Sequence, residues 1–167
     1  MIVMRRLASD RRLTALLDTP ERDSAVRQVA RAVAVFHAAQ PRDERAATLA
    51  TRDAVVTLWH RNFDEMTGFV GTWLDAVDFA EVQARAGDYL AGREPLFAHR
   101  IAAGFARDGH GDLLADDIFC LPDGPRVLDC LAFDDALRLG DVLLDAAFLA
   151  MDLEQQAGEA IAGRFLS

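Results

Sequence analysis

Apolar positions recur at helical spacing through most of the first hundred residues. In "TPERDSAVRQVARAVAVFHAAQ", Val26, Val29, Ala30, Val33 and His37 fall on one face, with Phe36 at its margin. Thr19 is placed to cap this helix, Pro20 to occupy its first position and Glu21 its first turn. After the polar connector "PRDERAAT", Val55, Trp59, Phe63 and Met66 recur at intervals of four, four and three, which predicts a second amphipathic helix. A third helical stretch carries Phe79, Val82, Ala86 and Tyr89, breaks at Pro95 and resumes through Ile101 and Phe105. Trp59 and Trp73 are assigned to the core. The opening "MIVMRRL" is a short β-type run with no neighbour in sequence, so it needs a partner elsewhere.

The pattern changes at Asp108. "DIFCL" and "RVLDCL" are short apolar runs on either side of Pro122-Asp123-Gly124-Pro125, which predicts a β-hairpin. Pairing outward from a turn at 122–125 sets Leu121 against Arg126, Ile118 against Asp129 and Asp117 against Cys130. Beyond Gly140, "DVLLDAAFLAMDLEQQ" is apolar almost all round and is expected to be a buried helix. Helices, hairpin and helices in that order give an α+β chain that is mostly α.

The hairpin gathers aspartates at its open end. Asp117 and Asp129 finish side by side on opposite strands, where two partly buried like charges raise each other's pKa unless a cation neutralises them. Mg²⁺ suits such a pair, because it takes one or two carboxylates and leaves its other positions to water and phosphate oxygens. Solvated strand ends are the other reading of the same two residues. Asp112, five residues before Asp117, lies on the loop entering the first strand, from which it could reach the same cavity and orient or deprotonate an attacking hydroxyl. Asp116, Asp123 and Asp135 read as turn or surface residues.

Composition narrows the chemistry. The 167 residues carry a net charge of −9, and all 18 basic residues are arginine. That balance speaks against the basic face a nucleic-acid-binding protein needs, and no nucleic-acid partner is expected. The absence of lysine excludes a Schiff-base lysine and a phosphate-loop lysine within the sequence. Neither G-x-G-x-x-G nor G-x-x-x-x-G-K-[ST] occurs. Cys120 and Cys130 are expected as buried free thiols. No signal peptide opens the sequence and the longest apolar segment, near 142–151, contains Asp145, so a cytoplasmic protein without a membrane span is expected.

The string "HGDLLADDIFCL…RVLDCLAFDD…DVLLDAAFLAMDLE" resembles the aminoglycoside phosphotransferase family, which shares the protein-kinase fold. It is most similar to the kinase-like domain of bacterial bifunctional aminoglycoside phosphotransferase/ATP-binding proteins. The resemblance implies a single kinase-like large lobe over 1–167, with the small lobe missing. Residues 1–7 would be a connector strand, 8–107 helical, 108–135 the catalytic loop and metal hairpin, and 136–167 the C-terminal helices. It implies Mg-ATP-dependent phosphoryl transfer to the hydroxyl of a small molecule. Asp112 would engage that hydroxyl, and Asp117 and Asp129 would bind Mg²⁺. Met4, Arg5 and Arg6, in "VMRRL", would touch the nucleotide. His110, Asp145 and His37 would support the loop. One departure is Asp117 itself, which stands where the family usually has asparagine.

Two other readings remain open from the sequence. One is a non-catalytic kinase-like remnant or interaction module, whose uncovered upper face would pair with a second copy or with a complementing small lobe. The other is a metal-dependent phosphohydrolase using His110, Asp112, Asp117 and Asp129. His60 and His99 have no acidic partners at ligand spacing and receive no role. Asp141 and Asp152, on the stripe of Asp145, read as a solvated or arginine-paired face.

Overall fold

A computed structural model describes residues 6–167, and the architecture is α+β and mostly helical. Leu13–Leu16 (α1) and Arg22–Ala39 (α2) are followed by Glu44–Leu49 (α3), Arg52–Met66 (α4), Ala76–Leu90 (α5) and Glu94–Ala102 (α6). Four short strands come next: Ala106–Asp108 (β1), Ile118–Leu121 (β2), Gly124–Val127 (β3) and Leu139–Asp141 (β4). Leu143–Ala157 (α7) and Glu159–Leu166 (α8) close the described chain. Among the described residues no helix is long and apolar enough to cross a membrane. The expected β-type run at 1–7 lies mostly outside the described residues, as do the nucleotide contacts assigned to Met4 and Arg5.

Local chemistry sets several helix limits. The Asp43 carboxylate accepts from the backbone N–H groups of Arg45 and Ala46, and that of Asp75 accepts from Val77 and Asp78. Each satisfies donors that a helix start leaves without intrahelical partners. α2 begins at Arg22 rather than Pro20, and Thr19 accepts from the Glu21 N–H at 3.2 Å one turn earlier. Pro95 does not break a helix. It stands in the first turn of α6, where a missing N–H costs nothing. The break falls instead at Ala91–Arg93, around Gly92 with φ of 67°.

The predicted face of α2 is the buried one: Val26, Val29, Val33 and His37 point inward while Phe36 is 41% exposed. That face meets α1, β2, α7 and α8 in a core of Leu13, Leu16, Ile118, Leu149, Leu153 and Phe165. Burying a side chain such as Leu149 or Leu153 stabilises the fold by roughly 1.5–3 kcal/mol each. α7 is not buried all round, contrary to its composition. Leu149, Ala150 and Leu153 face the core, but Leu143, Leu144 and Met151 are half-exposed. The tryptophans also depart from expectation. Trp59 is 39% exposed on the face of α4 that α5 leaves open, and Trp73 is 86% exposed in the turn ahead of α5.

Two antiparallel pairs hold the segment between α6 and α7. β2 and β3 form the expected hairpin, but its register differs from the outward count by two residues. Leu121 faces Gly124, Phe119 faces Arg126 and Ile118 faces Val127, so the turn is Pro122-Asp123 alone. Pro125 is a strand residue opposite Cys120. Leu128 donates its N–H to the Asp117 carbonyl at 3.0 Å, and hydrogen-bonded pairs alternate along an antiparallel ladder. Counting back by that alternation, Pro125 occupies a non-bonded pair on an edge strand, where the lack of an N–H is harmless. A two-residue slip leaves every side chain on its original face. β1 and β4, not foreseen from the sequence, pair Ala106 with Asp141 and Asp108 with Leu139. This second ladder closes the base of the aspartate-rich excursion between them.

Candidate functional site

The loop at 109–112 is fixed by one buried carboxylate. Asp145, in the first turn of α7, is 5% exposed and accepts three hydrogen bonds. His37 Nε2 reaches its Oδ2 at 2.8 Å, the His110 backbone N–H reaches the same oxygen at 2.7 Å, and the Gly111 N–H reaches Oδ1 at 2.9 Å. Burial pushes the Asp145 carboxyl up, but the His37 hydrogen bond and the two backbone donors outweigh it. The net position is below the ordinary value of 3.8. Asp145 is therefore ionised at neutral pH, and His37 Nε2 must be the donor between them.

His110 passes this order on to the hairpin. Its Nε2 bonds the Leu128 carbonyl at 2.9 Å, and its own carbonyl accepts the Leu131 N–H at 3.0 Å. Residues on both sides of Asp129 are thus tied to the loop that carries Asp112. The Asp112 N–H points at His110 Nδ1 at 3.4 Å, which sets Nε2 as the protonated nitrogen. Asp129 has a φ of 61°, and no other described residue besides glycine has a positive φ. Aspartate tolerates this left-handed backbone better than most residues, and such conformations cluster at functional sites.

Asp117 ends a 3₁₀ turn, Ala115–Asp117, immediately before β2. The first N–H of that turn, from Ala115, is held at 2.8 Å by Asp152 Oδ2. Asp152 follows Asp145 by seven residues, two turns along α7, so one helix grips both ends of the 110–115 loop. By sequence Asp152 is expected on a face open to solvent or paired with an arginine. The signal was present in its position on the stripe of Asp145, but only the fold shows which backbone donor it meets. The arginine pairing does hold for Asp141, whose carboxylate binds the Arg100 guanidinium, with one contact at 2.8 Å.

The acidic side chains share one field. Burial first, and then the charges of Asp129, Asp116 and Asp112, hold the Asp117 carboxyl above its ordinary value. Asp116 goes the other way: its carboxylate bonds the Arg12 guanidinium, which holds it below the usual range. Asp117 is half-buried, while Asp112 and Asp129 are exposed. Asp117 and Asp129 could together supply two carboxylates to a hard cation, with its remaining positions left to water. Among the described residues no group of three or more His, Cys, Asp or Glu side chains is arranged to hold a metal. The set His110, Asp112, Asp117 and Asp129 expected of a phosphohydrolase is therefore not drawn together as one metal centre among them. Arg6 is exposed and makes no hydrogen bond to this region among the described residues. Cys120 is buried and Cys130 exposed, both as free thiols, so the expectation of burial fails for Cys130.

Comparison with known proteins adds relatives but no activity. The chain is 36% identical over 168 residues to uncharacterized proteins of Mycobacterium bovis and Mycobacterium tuberculosis, an alignment covering all of this chain. It spans about a third of the length of those curated relatives. No family model and no solved structure matches.

The geometry makes Gly109 a sensitive position. A Cβ there would lie 2.7 Å from Asp145 Oδ2 and 3.2 Å from the Arg138 carbonyl. Neither can retreat freely, since the carboxylate is held by three donors and the carbonyl accepts the Gly109 N–H. Gly109→Ala is expected to cost roughly 1–3 kcal/mol, the range of a strained core substitution. A urea melt checks this, and an unchanged midpoint would show that the clamp is looser than drawn.

Proposed function

We propose that this chain is the large-lobe part of an aminoglycoside-phosphotransferase-like protein that transfers phosphate from Mg-ATP to a hydroxyl of a small molecule. Asp112 is the group that engages the acceptor hydroxyl, and Asp117 and Asp129 are the residues that would hold Mg²⁺ at the ATP phosphates. The observation that carries this reading is the Asp145 clamp. A single buried carboxylate holds the 110–111 backbone, and the His110 it positions ties that loop to both sides of Asp129. Phosphoryl transfer depends mainly on positioning and charge neutralisation. A rigid loop presenting Asp112 beside a carboxylate pair supplies the positioning. Turnover also needs a cationic grip on the phosphates of the kind a lysine gives, which these 167 residues do not contain. The activity of a whole protein of this kind is therefore part of the proposal.

Calorimetric titration with ATP tests it directly. ATP is expected to bind in the presence of Mg²⁺ and to lose at least about tenfold in affinity without it. Asp112→Asn should leave that binding within about threefold, and in a protein supplying the phosphate grip should lower transfer by about 10²–10⁴. Equal binding with and without Mg²⁺, or none at all, would remove the phosphotransferase reading. The absence of lysine favours the second reading in that event, a kinase-like module kept for interaction rather than chemistry.

A further inference from the structure

Beneath the loop, on the far side of His37, lies a cavity of about 440 Å³ that the reading above does not use. Its walls come from α2, the 103–107 turn, the start of α7 and the end of α8, with Val33, Ala34, Phe105, Ala146 and Phe165 among them. The volume is in the range that encloses a small organic molecule, and the lining is predominantly apolar. His37 is a wall residue and is 8% exposed overall. Its Nε2 is committed to Asp145, yet its Nδ1 makes no hydrogen bond among the described residues and is not sealed from solvent. In the neutral ring that nitrogen is an acceptor. Arg107, the other polar wall residue, donates to the carbonyls of Gly104, at 2.7 Å, and Gln40.

We infer that this cavity binds an uncharged apolar molecule carrying one hydroxyl, which donates its proton to His37 Nδ1. The lining fits an apolar body, and the free ring nitrogen selects a donor at one point of it. An occupant there sits two residues from the 109–112 loop, since the same imidazole bonds Asp145 and Asp145 bonds His110 and Gly111. The site stands independently of phosphoryl transfer.

Three naphthalenes serve as probes, followed by their own fluorescence: 2-naphthol, 2-methoxynaphthalene and 2-naphthoate. The expected result is saturable binding of one 2-naphthol per chain, with 2-methoxynaphthalene about fivefold weaker for want of the donor. In ¹H–¹⁵N spectra 2-naphthol should shift the amides of His110 and Gly111, which a probe lodged elsewhere on the surface would leave alone. Ala34→Phe, at an exposed helix position on the rim, should abolish binding while the helical spectrum is kept. Ala38→Phe, one turn further along the same helix wall, replaces it should the first variant fold poorly. Absent or unsaturable binding overturns the proposal, as does binding that both rim variants leave intact. Tighter binding of 2-naphthoate than of 2-naphthol gives the site to Arg107 and an anion, and overturns it too. Concentration-dependent self-association that the rim variants abolish, without probe binding, would assign the groove to a second copy of the chain.

Discussion

Asp145→Ala is expected to lower stability by about 3–5 kcal/mol, the cost of removing one partner from a buried charged network. Three donors lose their acceptor at once: His37 Nε2 and the N–H groups of His110 and Gly111. With the site 5% exposed, water cannot replace the carboxylate without opening the loop. The measurement is a urea melt in which the midpoint falls and the slope is unchanged. Asp145→Asn is expected to lose less. Its amide oxygen still accepts from one or two donors, and His37 can present its unprotonated nitrogen to the amide N–H if the ring changes tautomer. A loss below about 1 kcal/mol for the alanine variant would mean that the clamp contributes no more than an exposed hydrogen bond.

The pH dependence follows from the same residue. Its folded pKa lies below 3.8, so the ionised carboxylate stabilises the fold fully above the unfolded value. That contribution is lost as pH falls through the folded value. The stability difference between the native chain and Asp145→Ala should hold from neutral pH down to about pH 5 and narrow below about pH 4.

The helical part of the molecule was legible because α2 has one wet face and one dry face, and its spacing shows which is which. The hairpin was legible because its turn residues are chemically distinctive. The register was not, since Pro125 reads as a turn residue in sequence and is a strand residue only where the ladder skips a bond. Strands β1 and β4 were invisible for a different reason: three-residue runs carry no periodicity, and they exist because each pairs with the other across thirty residues. Trp59 misled because helical spacing says which residues share a face, not whether anything covers it, and Trp73 because a large apolar ring in a turn need not find a cover. At the site, Asp112, Asp117 and Asp129 could be picked out as acidic residues near one turn. Asp152 could not be given its task, because the partner is a backbone N–H, and a sequence does not mark which N–H lies opposite a helix side chain.

Asp129→Asn should change the sign of its effect when Mg²⁺ is added. Without the ion, the substitution removes one of the charges that raise the Asp117 carboxyl, so the variant should be as stable as the native chain or slightly more so. Asparagine keeps the left-handed backbone at φ 61° nearly as readily as aspartate, so no strain confuses the comparison. With Mg²⁺, the native chain should gain stability by mass action, about 2.7 kcal/mol at a hundredfold excess over the dissociation constant. The variant, left with one carboxylate, should need at least about ten times more ion and gain only about 1.4 kcal/mol at the same concentration. Thermal melts of both proteins with and without MgCl₂ provide the four values, and CaCl₂ shows how far a larger ion is accepted. If the two carboxylates are merely solvated strand ends, Mg²⁺ will move neither melt beyond the effect of ionic strength, and the centre loses its cation along with the phosphate chemistry that depends on it.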